Sequence, residues 1–171
     1  SFGERLRAEP RWSPKMTGLA TTPDDILAFL IACETRRVES ILVTLVGITG
    51  ASPRAIGAQM AVAADGDYVG SLSGGCIEAA VVAEALAALA DGRARQVRYG
   101  VGSPYLDIRL PCGGGIDLLF TPRPDPAAIA AIVGQLEKRR PAALALSAAG
   151  VMAREATHPT GWRGHDFVVT Y

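Results

Sequence analysis

Residues 40–49 read SILVTLVGIT, and this stretch decides the fold class. Near-continuous apolar, β-branched sequence of this kind predicts a strand that is covered on both faces. A helix is predicted just before it, because Thr22 supplies an N-cap, Pro23 stands at the first helical position and acidic residues follow. Helices continue to alternate with short strands along the chain. The predicted class is therefore α/β or mixed α+β, with a mixed sheet flanked by helices.

Further elements follow from local patterns. Asp65-Gly66-Asp67 predicts a hairpin turn, and an alanine-rich helix is predicted from about residue 77 to 91, ended by Gly92. Strands are predicted at 95–99, 107–110 and 116–120, and a helix starts at Asp125-Pro126. Residues 142–148 and 166–171 are predicted strands that flank an irregular stretch. We expect a flexible arm over 1–20 and a main domain over 21–122. Residues 123–171 complete that domain or lead to a further one, since the sequence stops inside a predicted strand and suggests a truncated polypeptide.

Composition excludes several functional classes. The 171 residues carry 17 basic and 17 acidic side chains, so the formal net charge is zero. A nucleic-acid-binding or membrane-surface protein needs a basic excess, and no apolar run is long enough to span a membrane. The three cysteines form no CxxC pair, which argues against a disulfide framework. We therefore expect a cytoplasmic globular protein.

Two cysteine–glycine segments are the strongest candidates for chemistry. Residues 71–78 read SLSGGCIE and lead into a helix, and residues 110–115 read LPCGGG between predicted strands. Glycine lets a backbone approach a ligand closely, and helix amides favour an anion. A cysteine at a helix start, such as Cys76, should have a lowered pKa. The alternative interpretation is two tight structural turns, but two such loops in one small domain favour a shared site.

The third candidate segment is GASPRAIGAQM at residues 50–60. Arg54 in this loop could pair with a phosphate or carboxylate, or it could be a solvated loop arginine. Gln59 could contact a heterocycle or simply occupy a strand. Phosphate-loop, dinucleotide-binding and GxSxG motifs are absent from the sequence. His158 and His165 both lie late in the irregular stretch, where structural roles are favoured.

Together these segments resemble the N-terminal domain of the XdhC/CoxI family, accessory proteins of xanthine dehydrogenase and related molybdenum hydroxylases. The resemblance rests on ASPR at 51–54, GAQM at 57–60, GSLSGGCIE at 70–78, RYG at 98–100 and CGG at 112–114. It implies a chaperone that binds the molybdenum cofactor, protects it, supports its sulfuration by a cysteine desulfurase and inserts it into an apo molybdenum hydroxylase. It also implies a homodimer and a C-terminal Rossmann-like domain, which is missing from this sequence.

The same resemblance implies where the cofactor binds. Cys76 and Cys112 would face one cleft near the metal, and the amides of Gly74, Gly75 and residues 113–115 would receive the cofactor's phosphate. Arg54 would add charge, and Gln59 would contact the pterin. The full set of expected cofactor-binding residues is Ser52, Arg54, Gln59, Ser73, Gly74, Gly75, Cys76, Glu78, Cys112, Gly113 and Gly114.

Two other functions remain open from the sequence. In one, the chain is a thiol-dependent sulfurtransferase in which Cys76 carries a persulfide and Cys112 resolves it. In the other, the chain is an interaction module without a small-molecule site, and its glycines are purely structural. Pterin and metal content of the purified protein, or turnover without molybdenum, would separate the three.

Overall fold

The computed structural model describes residues 22–75, 77–104, 110 and 113–171. The expected arm over 1–20, most of the expected strand at 107–110, and both Cys76 and Cys112 lie outside these residues. The helices are α1 (Pro23–Thr35), α2 (Glu78–Asp91) and α3 (Pro126–Glu137). The strands are β1 (Ser40–Thr49), β2 (Gln59–Ala63), β3 (Tyr68–Gly70), β4 (Arg95–Gly100), β5 (Gly115–Pro122), β6 (Ala143–Ser147), β7 (Gly150–Arg154), β8 (Gly161–Arg163) and β9 (Asp166–Thr170).

These strands form two sheets. The first has the order β3-β2-β1-β5-β4 and the second the order β7-β6-β9-β8. The α/β class is confirmed, but every strand pair among the described residues is antiparallel, so the expected mixed sheet is corrected to two antiparallel ones. α2, the helix after β3, does not lead to a strand that pairs with β3 in parallel; it leads to β4 at the opposite edge of the sheet. Its 14 residues span about 21 Å, enough to cross the roughly 19 Å between the two edges of a five-stranded sheet.

The first sheet is covered on both faces, as the sequence of β1 predicts. Ile41, Val43 and Leu45 point to α2 and form one core cluster with it, whereas Leu42 and Val46 point to the opposite face. That second cluster also contains buried residues of α1, α3 and the second sheet. Residues 123–171 therefore share a hydrophobic core with the segment before them.

The ends of the helices match their sequence signals. Thr22 and Asp25 form a capping box at the start of α1, and Gly92 ends α2 with a left-handed φ of 70°. The stretch after residue 148, expected to be irregular, instead contains β7 and β8. The sequence after residue 148 shows no strand pattern. β7 lies at a sheet edge and β8 has only three residues, so neither strand requires a run of apolar residues.

Candidate functional site

The loop after β1 lies against both glycine segments that the sequence singles out. A Cβ placed on Gly114 would lie 2.6 Å from the carbonyl oxygens of Thr49 and Ala51, so only glycine fits there. Two residues further along the same loop, Pro53 Cγ lies 4.0 Å from the Cβ position of Gly74. Three segments that are far apart in sequence thus meet around residues 49–53.

The segment before α2 is organised by a buried carboxylate. Glu78 Oε1 accepts hydrogen bonds from the Ser71 hydroxyl at 3.0 Å and from the amides of Leu72 and Ser73 at 3.1 Å. The Ser73 hydroxyl donates to Glu78 and accepts from the Ile77 amide at 3.2 Å. Ser73 and Glu78 are each 6% exposed. Both residues therefore hold the loop in shape rather than face solvent.

These contacts set the charge state of Glu78. Burial alone raises the pKa of a carboxyl group, but the hydrogen bonds from Ser73 and Leu72 outweigh it, and the pKa of Glu78 is lowered. The group is a carboxylate at neutral pH. Its negative charge lies in the first turn of α2, where the helix dipole also favours it.

Two of the amides expected to receive phosphate are already engaged. The Gly74 amide donates to the Ser71 hydroxyl at 3.0 Å, and the Gly113 amide donates to the Leu110 carbonyl at 2.9 Å. In this conformation the protons of both amides are already used, and the expectation that they receive a phosphate stays a prediction. Gly74, Gly75 and Gly113 are nevertheless exposed, and a Cβ on Gly75 or Gly113 would meet nothing within 4 Å. The surface above these glycines is open.

The SPR motif forms a local turn. The Ser52 hydroxyl donates to the Arg54 carbonyl at 2.8 Å and accepts from the Arg54 amide at 3.3 Å. Ser52 is thereby committed to the turn. No hydrogen bond or ion pair to the Arg54 guanidinium is found within the described part of the chain. The Arg54 side chain is half-buried, and among residues 22–75, 77–104 and 113–171 its positive charge has no partner.

Gln59 is placed differently from the expected pterin contact. It is 6% exposed, its Nε2 donates to Thr44 Oγ1 at 3.1 Å, and its Oε1 accepts from the Tyr171 hydroxyl. Both ends of the amide are used, so it has little capacity to pair with the edge of a heterocycle. Gln59 instead connects the first sheet to the end of β9.

Arg98 belongs to the RYG motif at 98–100, and the sequence alone assigns it no role. Its Nη1 donates to Asp117 Oδ2 at 2.9 Å, its Nη2 to Thr49 Oγ1 at 2.6 Å, and its Nε to the Val101 carbonyl at 2.6 Å. Both members of the ion pair are 24% exposed. Arg98 thus ties the end of β1 to β5 and to the turn after β4. Only its place in the RYG motif could have indicated this.

The cysteines divide into two groups. Cys33 is a core residue, 1% exposed on α1, and burial raises its pKa to about 11. Cys76 and Cys112 lie outside the described residues, so their expected metal-binding role stays a prediction. Among the described residues, no group of three or more His, Cys, Asp or Glu side chains is placed to hold a metal ion. None of the described helices is long and apolar enough to cross a membrane.

A cleft of about 160 Å³ opens beside the SPR loop, and we call it the Arg54 cleft. Its walls are the start of α1, the loop from Arg54 to Gln59, and the end of the second sheet. Thr160 closes one side, since a Cβ on Gly57 would lie 2.7 Å from Thr160 Cγ2. The lining residues are Thr22, Pro23, Ile26, Arg54, Ile56, Gly57, Ala58, Gln59, Thr160, Val169, Thr170 and Tyr171.

Comparisons with known proteins agree with the resemblance. The family model described as "XdhC and CoxI family" matches residues 33–100. The molybdenum cofactor insertion chaperone PaoD of Escherichia coli (strain K12) is 39% identical over 160 residues, which cover 92% of this chain. The chain spans only 50% of that relative's length. A crystal structure described as a xanthine dehydrogenase from Bacillus halodurans superposes with a TM-score of 0.64 at 21% identity. It covers 85% of this chain and 52% of that one, and it shows a shared fold.

Proposed function

Residues 33–100 belong to the XdhC and CoxI family, and from this we propose that the chain is a molybdenum-cofactor chaperone. It binds the cofactor transiently and inserts it into an apo molybdenum hydroxylase of the xanthine dehydrogenase type. The observation that carries this proposal is the identity to a cofactor insertion chaperone over nearly the whole chain. We propose a carrier rather than an enzyme, working in the cytoplasm.

The geometry of the described residues supports a large ligand at the glycine segments. Both segments contact the loop at 49–53, through Gly74 and Gly114, and each also has an exposed glycine directly beside a cysteine in sequence. We propose that Cys76 and Cys112 hold the metal end of the cofactor, because a soft, sulfur-rich centre favours thiolate ligands. When bound, the cofactor supplies the redox-active molybdenum that the client enzyme needs.

The chain's own residues shape and protect this surface. Glu78 fixes the loop that leads to Cys76, and Arg98 fixes the strand ends from which the loop to Cys112 departs. Neither residue is proposed as a ligand, since the hydrogen bonds described above engage their charged groups. Glu78 positions the backbone that leads to Cys76, and Arg98 holds the strand ends that flank the segment containing Cys112.

Partners follow from the proposed role. An apo hydroxylase would receive the cofactor, and a cysteine desulfurase would replace an oxo ligand with sulfur while the chaperone holds it. A homodimer and a contribution from a C-terminal Rossmann-like domain are further proposals of the same kind.

The test is cofactor retention. The chain is purified from cells that make the cofactor, and molybdenum and oxidised-pterin fluorescence are measured per polypeptide. Cys76→Ala and Cys112→Ala should lose both signals, whereas Cys33→Ala, a matched control in the core, should keep them if it folds. Unchanged molybdenum in both the Cys76 and the Cys112 variant would contradict the proposal. Sulfur transfer from thiosulfate without molybdenum would instead favour a sulfurtransferase.

A further inference from the structure

The charge of the Arg54 cleft is one-sided. Of the twelve described residues that line it, Arg54 has the only charged side chain. The first turn of α1 also lies at this cleft through Thr22 and Pro23, but its acidic residues Asp24 and Asp25 offset the helix dipole, so the positive charge comes from Arg54. Asp25 is turned back into the capping box, where its carboxylate accepts from the Thr22 amide at 2.8 Å. The cleft therefore favours an anion.

One hydroxyl group supplements the guanidinium. Thr160 Oγ1 accepts from the Thr170 amide at 3.0 Å, which leaves its own proton to donate. The Arg54 guanidinium has five N–H donors in a planar fork that suits two oxygens of a phosphate or carboxylate. Charged and hydroxyl donors at one small cleft are suited to an oxyanion with several acceptor oxygens.

The volume of the cleft is enough for a phosphate group. It is about 160 Å³, or roughly five water molecules at ~30 Å³ each. The Gln59 amide at its wall is buried and engaged at both ends, so it has little capacity to pair with the edge of a heterocycle. The cleft therefore suits a phosphate better than the edge of a pterin.

We propose that the Arg54 cleft binds a phosphate monoester. The source of that phosphate rests on the proposed function: if the chain carries the cofactor, the phosphate is the one at the end of the cofactor's side chain. Arg54 directly follows Pro53, which lies against Gly74, so one loop would contact both ends of the same ligand. Thr160, Thr170 and Tyr171 also line the cleft, and residues 123–171 would therefore be part of the binding site.

The test uses two fluorescent probes with the full 171-residue chain. One is the oxidised pterin phosphate obtained from the cofactor, and the other is the same compound after phosphatase treatment. Wild type should bind the phosphorylated probe roughly 10- to 100-fold more tightly, the range expected when charge-assisted hydrogen bonds are lost. Arg54→Ala should bind both probes with the affinity that wild type shows for the dephosphorylated one.

Two further variants act as controls. Arg93→Ala removes an equal charge from an exposed position outside the cleft and should bind like wild type. Arg54→Lys keeps the charge but loses the planar fork, so it should recover only part of the affinity. If Arg54→Ala binds the phosphorylated probe as tightly as wild type, or loses affinity equally for both probes, the proposal is wrong.

Inorganic phosphate separates this inference from the proposed function. In amide NMR spectra it should shift the signals of Gly57 and Thr170 in wild type and not in Arg54→Ala. If phosphate does so while neither pterin binds, the site stands as one for another phosphate monoester and the cofactor role falls. If retention of molybdenum and pterin by the purified chain needs Cys76 and Cys112 but not Arg54, the cofactor role stands and the cleft proposal falls. If neither inorganic phosphate nor the pterin phosphate has any effect, the proposed site is wrong.

Discussion

Arg98 Nη1 lies 2.9 Å from Asp117 Oδ2, and the two residues are direct partners in the β4–β5 pairing. The same guanidinium reaches Thr49 and the Val101 carbonyl, so one side chain holds three chain segments. A Cβ at Gly47 would lie 2.5 Å from Asp117 Oδ2, and the register of β1 against β5 shifts beside it, between Leu45 and Gly47. The irregular strand end thus makes room for this ion pair.

Arg98→Ala should lower the free energy of unfolding by about 2–3 kcal/mol, because it leaves the Asp117 carboxylate without its charged partner. Arg36→Ala is the matched control. Its ion pair with Asp65 spans 3.5 Å, and both side chains are more than 40% exposed, so a loss of only about 0–1 kcal/mol is expected. Urea unfolding measures both. Equal effects of the two variants would show that the Arg98 network adds nothing beyond a surface pair.

Glu78→Gln should destabilise the protein by about 1–2 kcal/mol at neutral pH, since a charged acceptor of several hydrogen bonds is lost. The folded-state pKa of Glu78 lies below its usual 4.5, so the stabilisation is fully present above pH 4.5 and is lost as the pH falls through the folded pKa. Wild type and Glu78→Gln should therefore converge in stability in acid. A constant difference from pH 7 to pH 3 would contradict the charge effect.

Glu39→Gln is the control for the Glu78→Gln experiment. The Arg123 guanidinium also lowers the pKa of Glu39, but this pair is exposed, with the two side chains 50% and 56% accessible. Any effect of Glu39→Gln on the free energy of unfolding should disappear in high salt, because exposed charges are screened. The effect of Glu78→Gln should persist there.

Gly114→Ala should cost roughly 1–3 kcal/mol, since its Cβ would overlap the backbone oxygens of Thr49 and Ala51 at 2.6 Å. Gly134→Ala in α3 is the opposite case, because nothing lies within 4 Å and the residue is helical. There alanine should stabilise by about 0.5–1 kcal/mol through helix propensity. Thermal unfolding of the pair compares them directly. A tolerated Gly114→Ala would mean that the loop at 49–53 need not approach so closely.

Tyr171→Phe should cost about 1–3 kcal/mol, because it leaves Gln59 Oε1 buried without its donor. Burial raises the pKa of Tyr171 above its usual 10.0. The folded state then holds this proton more tightly than the unfolded state, so wild-type stability is lost as the pH rises above 10, and less so in Tyr171→Phe. Tyr68→Phe, at a half-buried position in β3, removes a hydroxyl away from this contact and serves as the control.

Cys33 should not react with a thiol reagent in the native protein at pH 8. It is 1% exposed and its pKa is raised to about 11, so both access and thiolate are lacking. Native labelling should count at most two thiols, and labelling in denaturant should count three. Cys33→Ala should leave the native count unchanged; a drop of one would show that the core thiol is accessible.

The sequence by itself determined the local elements and the resemblance to a family. The β1 pattern, the Thr22 cap and the Gly92 stop depend on neighbours within a few residues, and all three are confirmed. Quoted motifs such as SLSGGCIE identified the XdhC/CoxI resemblance, because glycine and cysteine at such spacings are specific. The antiparallel order of the sheets, and the strands β7 and β8, had no such local signal.

Only the tertiary structure decided what each motif residue contacts. Hydrogen bonds between distant residues, such as Gln59 with Tyr171 or Arg98 with Thr49, depend on how the sheets pack and leave no periodic trace in the sequence. Packing directs Glu78 into its own loop and leaves Arg54 beside a cleft. A side chain's role depends on which partners remain unsatisfied after folding, and that is a property of the packed molecule.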